Sequence, residues 1–163
     1  MIAIQIKDIK NFMNHLLTDT TFDSFLLNHA SITSYNNFEI DGRIHPSYYT
    51  REEFELLEQK EFSSWSKLKP ICFQLVKGKH TPSRMAFTFL LSAKQIGLFI
   101  SQREIDLSPE VVTSMVLNIR FEAGILTCTT GISLSVFTMD KTLEHAWDEY
   151  VRRFLTAHFD VIC

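Results

Sequence analysis

Chain breakers are scarce in this sequence, with five glycines and four prolines among 163 residues. So few breakers leave little room for long flexible linkers. The length is that of a single domain, 1–163, which can bury a substantial core without disulfide or metal staples. Cysteine is scarcer still, and Cys72, Cys128 and Cys163 form an odd set with no CxxC pair. Free thiols in a reducing compartment follow from that pattern, and with them a cytoplasmic location. No hydrophobic run is long enough to span a bilayer. The longest, "MAFTFLLSAKQIGLFIS", is broken by Ser92, Lys94 and Gln95 and falls short of a membrane helix. The opening "MIAIQIKDIKNF" has no basic stretch ahead of its apolar residues and does not read as a signal peptide. A membrane is therefore not an expected partner.

Aromatic residues, by contrast, are plentiful. Fourteen phenylalanines, with 45% hydrophobic and 21% charged residues overall, describe a soluble globular chain with a large, partly aromatic core. Net charge is only −3, but it is unevenly spread. Residues 62–103 hold Lys67, Lys69, Lys77, Lys79, Arg84, Lys94 and Arg103 and no carboxylate. The other nine of sixteen cations and all nineteen carboxylates lie elsewhere, leaving that remainder at −10. Either the faces are separated by sign or opposite charges pair within the fold.

Hydrophobic periodicity divides the chain into elements. Ile6, Ile9, Phe12, Met13, Leu16 and Leu17 are spaced for a helix. "SITSYNNFEIDGRIH" has strand-forming texture, and Asp41-Gly42 suits a two-residue hairpin turn. Thr50 and Glu53 make a capping box for an acidic helix over 51–61. Trp65, Leu68, Ile71, Cys72, Leu75 and Val76 form an apolar stripe, in which Pro70 implies a kink or a later start. "RMAFTFLL" reads as a buried strand, followed by a short helix capped by Ser92 and Gln95. Residues 114–137 read as a hairpin turning at Ala123-Gly124, with Leu126, Cys128, Ile132, Leu134 and Val136 on one face. The final helix carries Leu143, Ala146, Trp147, Tyr150, Val151, Phe154 and Leu155 inside and Glu144, His145, Asp148, Arg152 and Arg153 outside. Both tryptophans lie on apolar helical stripes and are read as core.

The order is strand, helix, hairpin, helices, then strand, helix, hairpin, helix. This suggests an α+β fold, an antiparallel sheet with helices packed on one face. It also suggests a doubled unit, with pseudo-repeats 1–78 and 84–159, akin in element order to the saddle-like fold of TATA-binding proteins. The stretches "FDSFLL", "TSYNNFEIDGRIH", "WSKLKPICFQLVKGKHTP" and "TCTTGISLSVFTMDKTLEHAWDEYV" resemble a small family of uncharacterised clostridial proteins of unknown function. That resemblance spans nearly the whole chain and implies a bacterial cytoplasmic protein, without an activity.

No motif for catalysis is complete. In "LVKGKHTPSR", Gly78-Lys79 only superficially suggests a phosphate loop. Phe73 occupies the earlier glycine position and His80 follows the lysine. If 71–76 is helical, Gly78 is its C-terminal stop and Lys77 and Lys79 complement the helix dipole. If it is a strand, the lysines top a hairpin and point at a partner. His145 and Glu149 share a helix face but lack a second ligand pair, so no metal or other cofactor is expected. "TTGISLS" is not a nucleophile elbow. The functional expectation is a non-catalytic binding or adaptor module presenting a basic surface from Lys67, Lys69, Lys77, Lys79, His80 and Arg84 to an acidic partner. That partner is nucleic acid, an acidic protein, or a second copy through its own 51–61 helix. Two alternatives stand beside it: a small enzyme assembled from His45, His80 and Asp41, and a homodimer joined at a sheet edge.

Overall fold

Strand periodicity produces a sheet with two unlike faces. The computed structural model describes residues 1–162, so Cys163 lies outside the described residues. Its strands are β1 (Ala3–Ile6), β2 (Leu26–Thr33), β3 (Asn37–Asp41), β4 (Arg84–Leu90), β5 (Val112–Glu122), β6 (Ile125–Leu134) and β7 (Val161–Ile162). The helices are α1 (Ile9–Leu17), α2 (Arg51–Glu55), α3 (Trp65–Val76), α4 (Ala93–Gln102) and α5 (Thr142–His158). All seven strands join one antiparallel sheet in the order β3-β2-β4-β5-β6-β1-β7. The fold is α+β.

One face is sealed. Met85, Phe87 and Phe89 of β4, Met115, Leu117, Ile119 and Phe121 of β5, and Leu126 and Cys128 of β6 are all buried, every second residue of each strand. Aromatic rings from outside the sheet complete this layer. Phe25 stacks on Phe89 at 5.6 Å between centroids, and Trp65 meets Phe89 at 5.1 Å. Two indoles fix helices over this layer. Trp65 Nε1 donates to the Leu16 carbonyl at 2.9 Å, and Trp147 Nε1 donates to that of Val116 at 2.9 Å. The opposite face carries Gln5, Ser31, Thr88, Asn118, Arg120, Thr127 and Thr129, none of them buried.

Two bulges keep the core face continuous. Between Leu27 and His29, and again between Val112 and Ser114, one extra residue enters the strand. Leu27 and Ala30, like Val112 and Met115, are three apart yet all are buried.

Several expectations need correction. Asp41-Gly42 is not the hairpin turn. Thr33 pairs with Asn37 and the chain reverses through Ser34–Asn36, where Ser34 N–H donates to Asn36 O. Gly42 instead lies against β2, donating to the Asn28 carbonyl at 2.9 Å. A Cβ there would sit 1.8 Å from Leu27 O, so backbone proximity selects the glycine. The helix expected over 51–61 ends at Glu55, although its capping box is present. Lys60 Nζ closes that end by donating to the Phe54 and Glu55 carbonyls. Ile6 belongs to β1 rather than to the first helix, and Ile71 and Val136 face solvent. Asp148 is buried rather than outside, accepting from Thr130 Oγ1 and from the Met1 ammonium at 3.1 Å.

α3 begins at Trp65 rather than nearer Pro70 and includes that proline, whose missing N–H matters little because Pro70 and Ser66 are both exposed. The turn between β5 and β6 is at Ala123-Gly124, both at positive φ (52° and 75°). The element order runs twice through strand, helix, hairpin and helix, but the two halves pair differently in the sheet, with β4 beside β5 and β1 four strands from β2.

The glycines give a paired test of this packing. Gly42→Ala is expected to lower unfolding free energy by about 2–4 kcal/mol through the backbone clash and the lost hydrogen bond. Gly97 lies inside α4 with open space where its Cβ would be, so Gly97→Ala raises stability by about 0.5–1 kcal/mol. Urea unfolding monitored by tryptophan fluorescence measures both.

Candidate functional site

Residues 71–76 are helical, which decides the setting of the basic loop. α3 ends at Val76, and Lys77 N–H donates to the Phe73 carbonyl at 2.9 Å. Gly78 then has φ +147°, positive but far from the left-handed helical value near +57°. The expected left-handed C-terminal turn is therefore replaced by an extended exit available to glycine. Lys77, Gly78, Lys79 and His80 are all exposed. The segment then crosses to the sheet, where Ser83 N–H donates to the Thr33 carbonyl at 2.9 Å and β4 begins at Arg84.

The six anticipated anion-binding residues do not form one patch. Lys67 lies in the first turn of α3 and donates to Tyr49 Oη at 2.8 Å. Ten residues of helix rise, about 15 Å, separate it from Lys77. Lys69 Nζ donates to Asp23 Oδ1 at 2.7 Å and to the Asp19 carbonyl at 2.8 Å, with only 13% of its side chain exposed. Its charge is used inside the fold. Arg84 lies on the open sheet face, 3.5 Å from Glu122. Lys77, Lys79 and His80 remain together on the loop. Among the described residues, no carboxylate lies within 4.0 Å of any of these three or of Lys94. The remaining cation of the acid-free segment, Arg103, stacks over Phe99 at 3.7 Å and donates to its carbonyl.

Of the residues considered for catalysis, Asp41 and His45 lie at the end of β3 and just beyond it, and His80 precedes the contact with the strand's other end. Asp41 ends β3, about 13 Å along that strand from Asn37, whereas His80 precedes the crossing at Ser83 beside Thr33. Asp41 Oδ1 accepts from Arg43 N–H as part of a turn. His45 precedes a 3-10 turn at Pro46–Tyr48. No group of three or more potential metal ligands occurs among the described residues.

Two features were hidden from the sequence. Tyr35, in the β2–β3 turn, is 84% exposed with its ring edge-on to Phe38 at 5.4 Å. A tyrosine flanked by Ser34, Asn36 and Asn37 was the available signal, obscured by the misplaced turn. The second is a groove of about 1180 Å³ between residues 57–67 and the start of α4. It brings together Ser64, Ser66, Ser92, Thr113 and Ser114, residues close only in space. Of its lysines, Lys60 and Lys67 are engaged by Phe54, Glu55 and Tyr49.

Residues 15–159 match a family of unknown function, DUF5721. The chain belongs to that family. No curated protein and no solved structure matches it. Within this family member, no described helix is long and apolar enough to cross a membrane.

Both described thiols are chemically quiet. Cys72 and Cys128 are buried and unpaired, and burial pushes each thiol up to about 12, far from reactive thiolate. In a Cys163→Ala variant, the native protein at pH 8 is expected to react with a chromogenic disulfide at neither thiol on a minute timescale, and at both in denaturant. The lysines divide in the same way. Lys69→Met strands Asp23 and costs about 1–3 kcal/mol. Lys77→Met changes stability by less than about 0.5 kcal/mol. Thermal denaturation distinguishes the two.

Proposed function

We propose that this protein is a non-catalytic binding module whose basic loop, Lys77 to His80, engages an acidic partner. One observation carries the reading. Of the seven cations in the acid-free segment, Lys67, Lys69, Arg84 and Arg103 have partners within the chain, whereas Lys77, Lys79 and Lys94 are exposed with no carboxylate beside them among the described residues, and of these Lys77 and Lys79 share one loop. An exposed cluster of one sign gains most from an oppositely charged surface, because its own desolvation is small and its field is not cancelled nearby. Arg84 follows this loop at the start of β4 and adds to its field while paired with Glu122, whereas Lys67 lies about 15 Å away at the other end of α3. In this reading the module works in a bacterial cytoplasm, and the resemblance to clostridial proteins supports that setting.

The test is retention on a heparin column during a salt gradient. Wild type is expected to be retained at low salt, and Lys77→Ala/Lys79→Ala/His80→Ala to elute earlier with unchanged thermal stability. Co-elution of the two proteins, or flow-through of wild type, would overturn the proposal.

A further inference from the structure

We infer that the end of the sheet where β2 turns into β3 and β4 begins binds single-stranded nucleic acid. This rests on the basic-loop reading above and names its partner class.

Four features meet at that end. The first is the loop bearing Lys77, Lys79 and His80, tied to the sheet where Ser83 bonds to Thr33. The second is Tyr35, two residues beyond Thr33, braced by Phe38 yet 84% exposed. The third is a pair of arginines on the open face, Arg84 opposite Glu122 and Arg120 opposite Ala86 on the neighbouring strands. The fourth is the row that continues from Arg120 across the sheet to Thr127 and then Gln5, polar and uncharged. Glu122 sits 3.5 Å from Arg84 and 3.8 Å from Arg120 and offsets one of these two charges. Glu39 is occupied by His29 at 2.9 Å and by Asn37 at 2.8 Å.

The exposed ring is what separates this partner from an acidic protein. Cations at this end of the sheet suit any polyanion, but a solvent-facing aromatic at the same end offers a stacking platform for a base. Duplex bases are already stacked and cannot use it, so the geometry favours a single strand. Polar side chains in a row across the open face then lie where a bound strand's sugars and base edges can meet them.

The experiment is fluorescence anisotropy with a labelled oligo-dT of about 15 nucleotides, within the usual single-strand footprint. A duplex of equal length and a labelled polyglutamate peptide are titrated in parallel across a salt series. With four phosphate contacts, the log–log salt slope is expected to be about −3, and Lys77→Ala/Lys79→Ala reduces its magnitude by about 1.4. Tyr35→Ala is expected to weaken oligo-dT binding about tenfold with little change in slope, and Tyr35→Phe to retain it. Equal affinity for the duplex, or wild-type affinity in Tyr35→Ala, overturns the inference. Binding of polyglutamate without oligo-dT overturns it while sparing the basic-loop reading. Binding of neither removes both.

Discussion

A buried indole must find an acceptor, and two such demands organise this molecule. Trp65 and Trp147 are both fully enclosed, and each has one N–H that would cost about 1–3 kcal/mol if left unpaired. Neither finds a partner on its own helix. Trp65 reaches the last turn of α1 and Trp147 reaches the middle of β5. Each bond therefore fixes the rotation of a helix relative to another element, which apolar packing alone leaves loose. With α3 locked, its C-terminus and the basic loop follow. With α5 locked, its Asp148 is directed at Thr130 and Met1.

The covered face of the sheet also decides the fate of the charges. Once helices occupy one side, cations are left for the open face, the outer faces and ends of helices, or a gap between helices. Lys69 falls in such a gap and takes Asp23. Arg103 lies over the Phe99 ring, where its flat guanidinium remains solvated while its charge meets the ring's negative face. Arg84 and Arg120 emerge on the open side and share Glu122. The loop after α3 has no such neighbour. Lys77 caps the C-terminus of α3, where the helix dipole favours an exposed cation by only about 0.3 kcal/mol. That stabilisation and binding to a partner are compatible, because a helix cap uses the charge without burying it.

Elements with strong local signals were legible before any coordinates. The hairpin over β5 and β6, the long α5 stripe, and the capping boxes at Thr50 and Ser92 depend on neighbours in sequence, and all are present. Failures occurred where a distant group decided the outcome. Asp41-Gly42 has the chemistry of a turn, but its glycine is required by Leu27, fifteen positions earlier. Asp148 repeats with the polar residues of α5, yet a threonine on β6 draws it inward. The candidate site divided along the same line. That Lys77 and Lys79 flank a glycine was visible; that Lys69 belongs to Asp23 was not.

By itself, the sequence determined the α+β class, most of the helices and strands, and the concentration of positive charge between residues 62 and 103. These follow from periodicity, capping and composition, which act over a few residues. Only the tertiary structure decided the strand order, the true turn between β2 and β3, and which lysines stay free. Pairings between residues dozens of positions apart settle those matters, and no local pattern encodes the distance between Tyr35 and the loop that ends at Arg84.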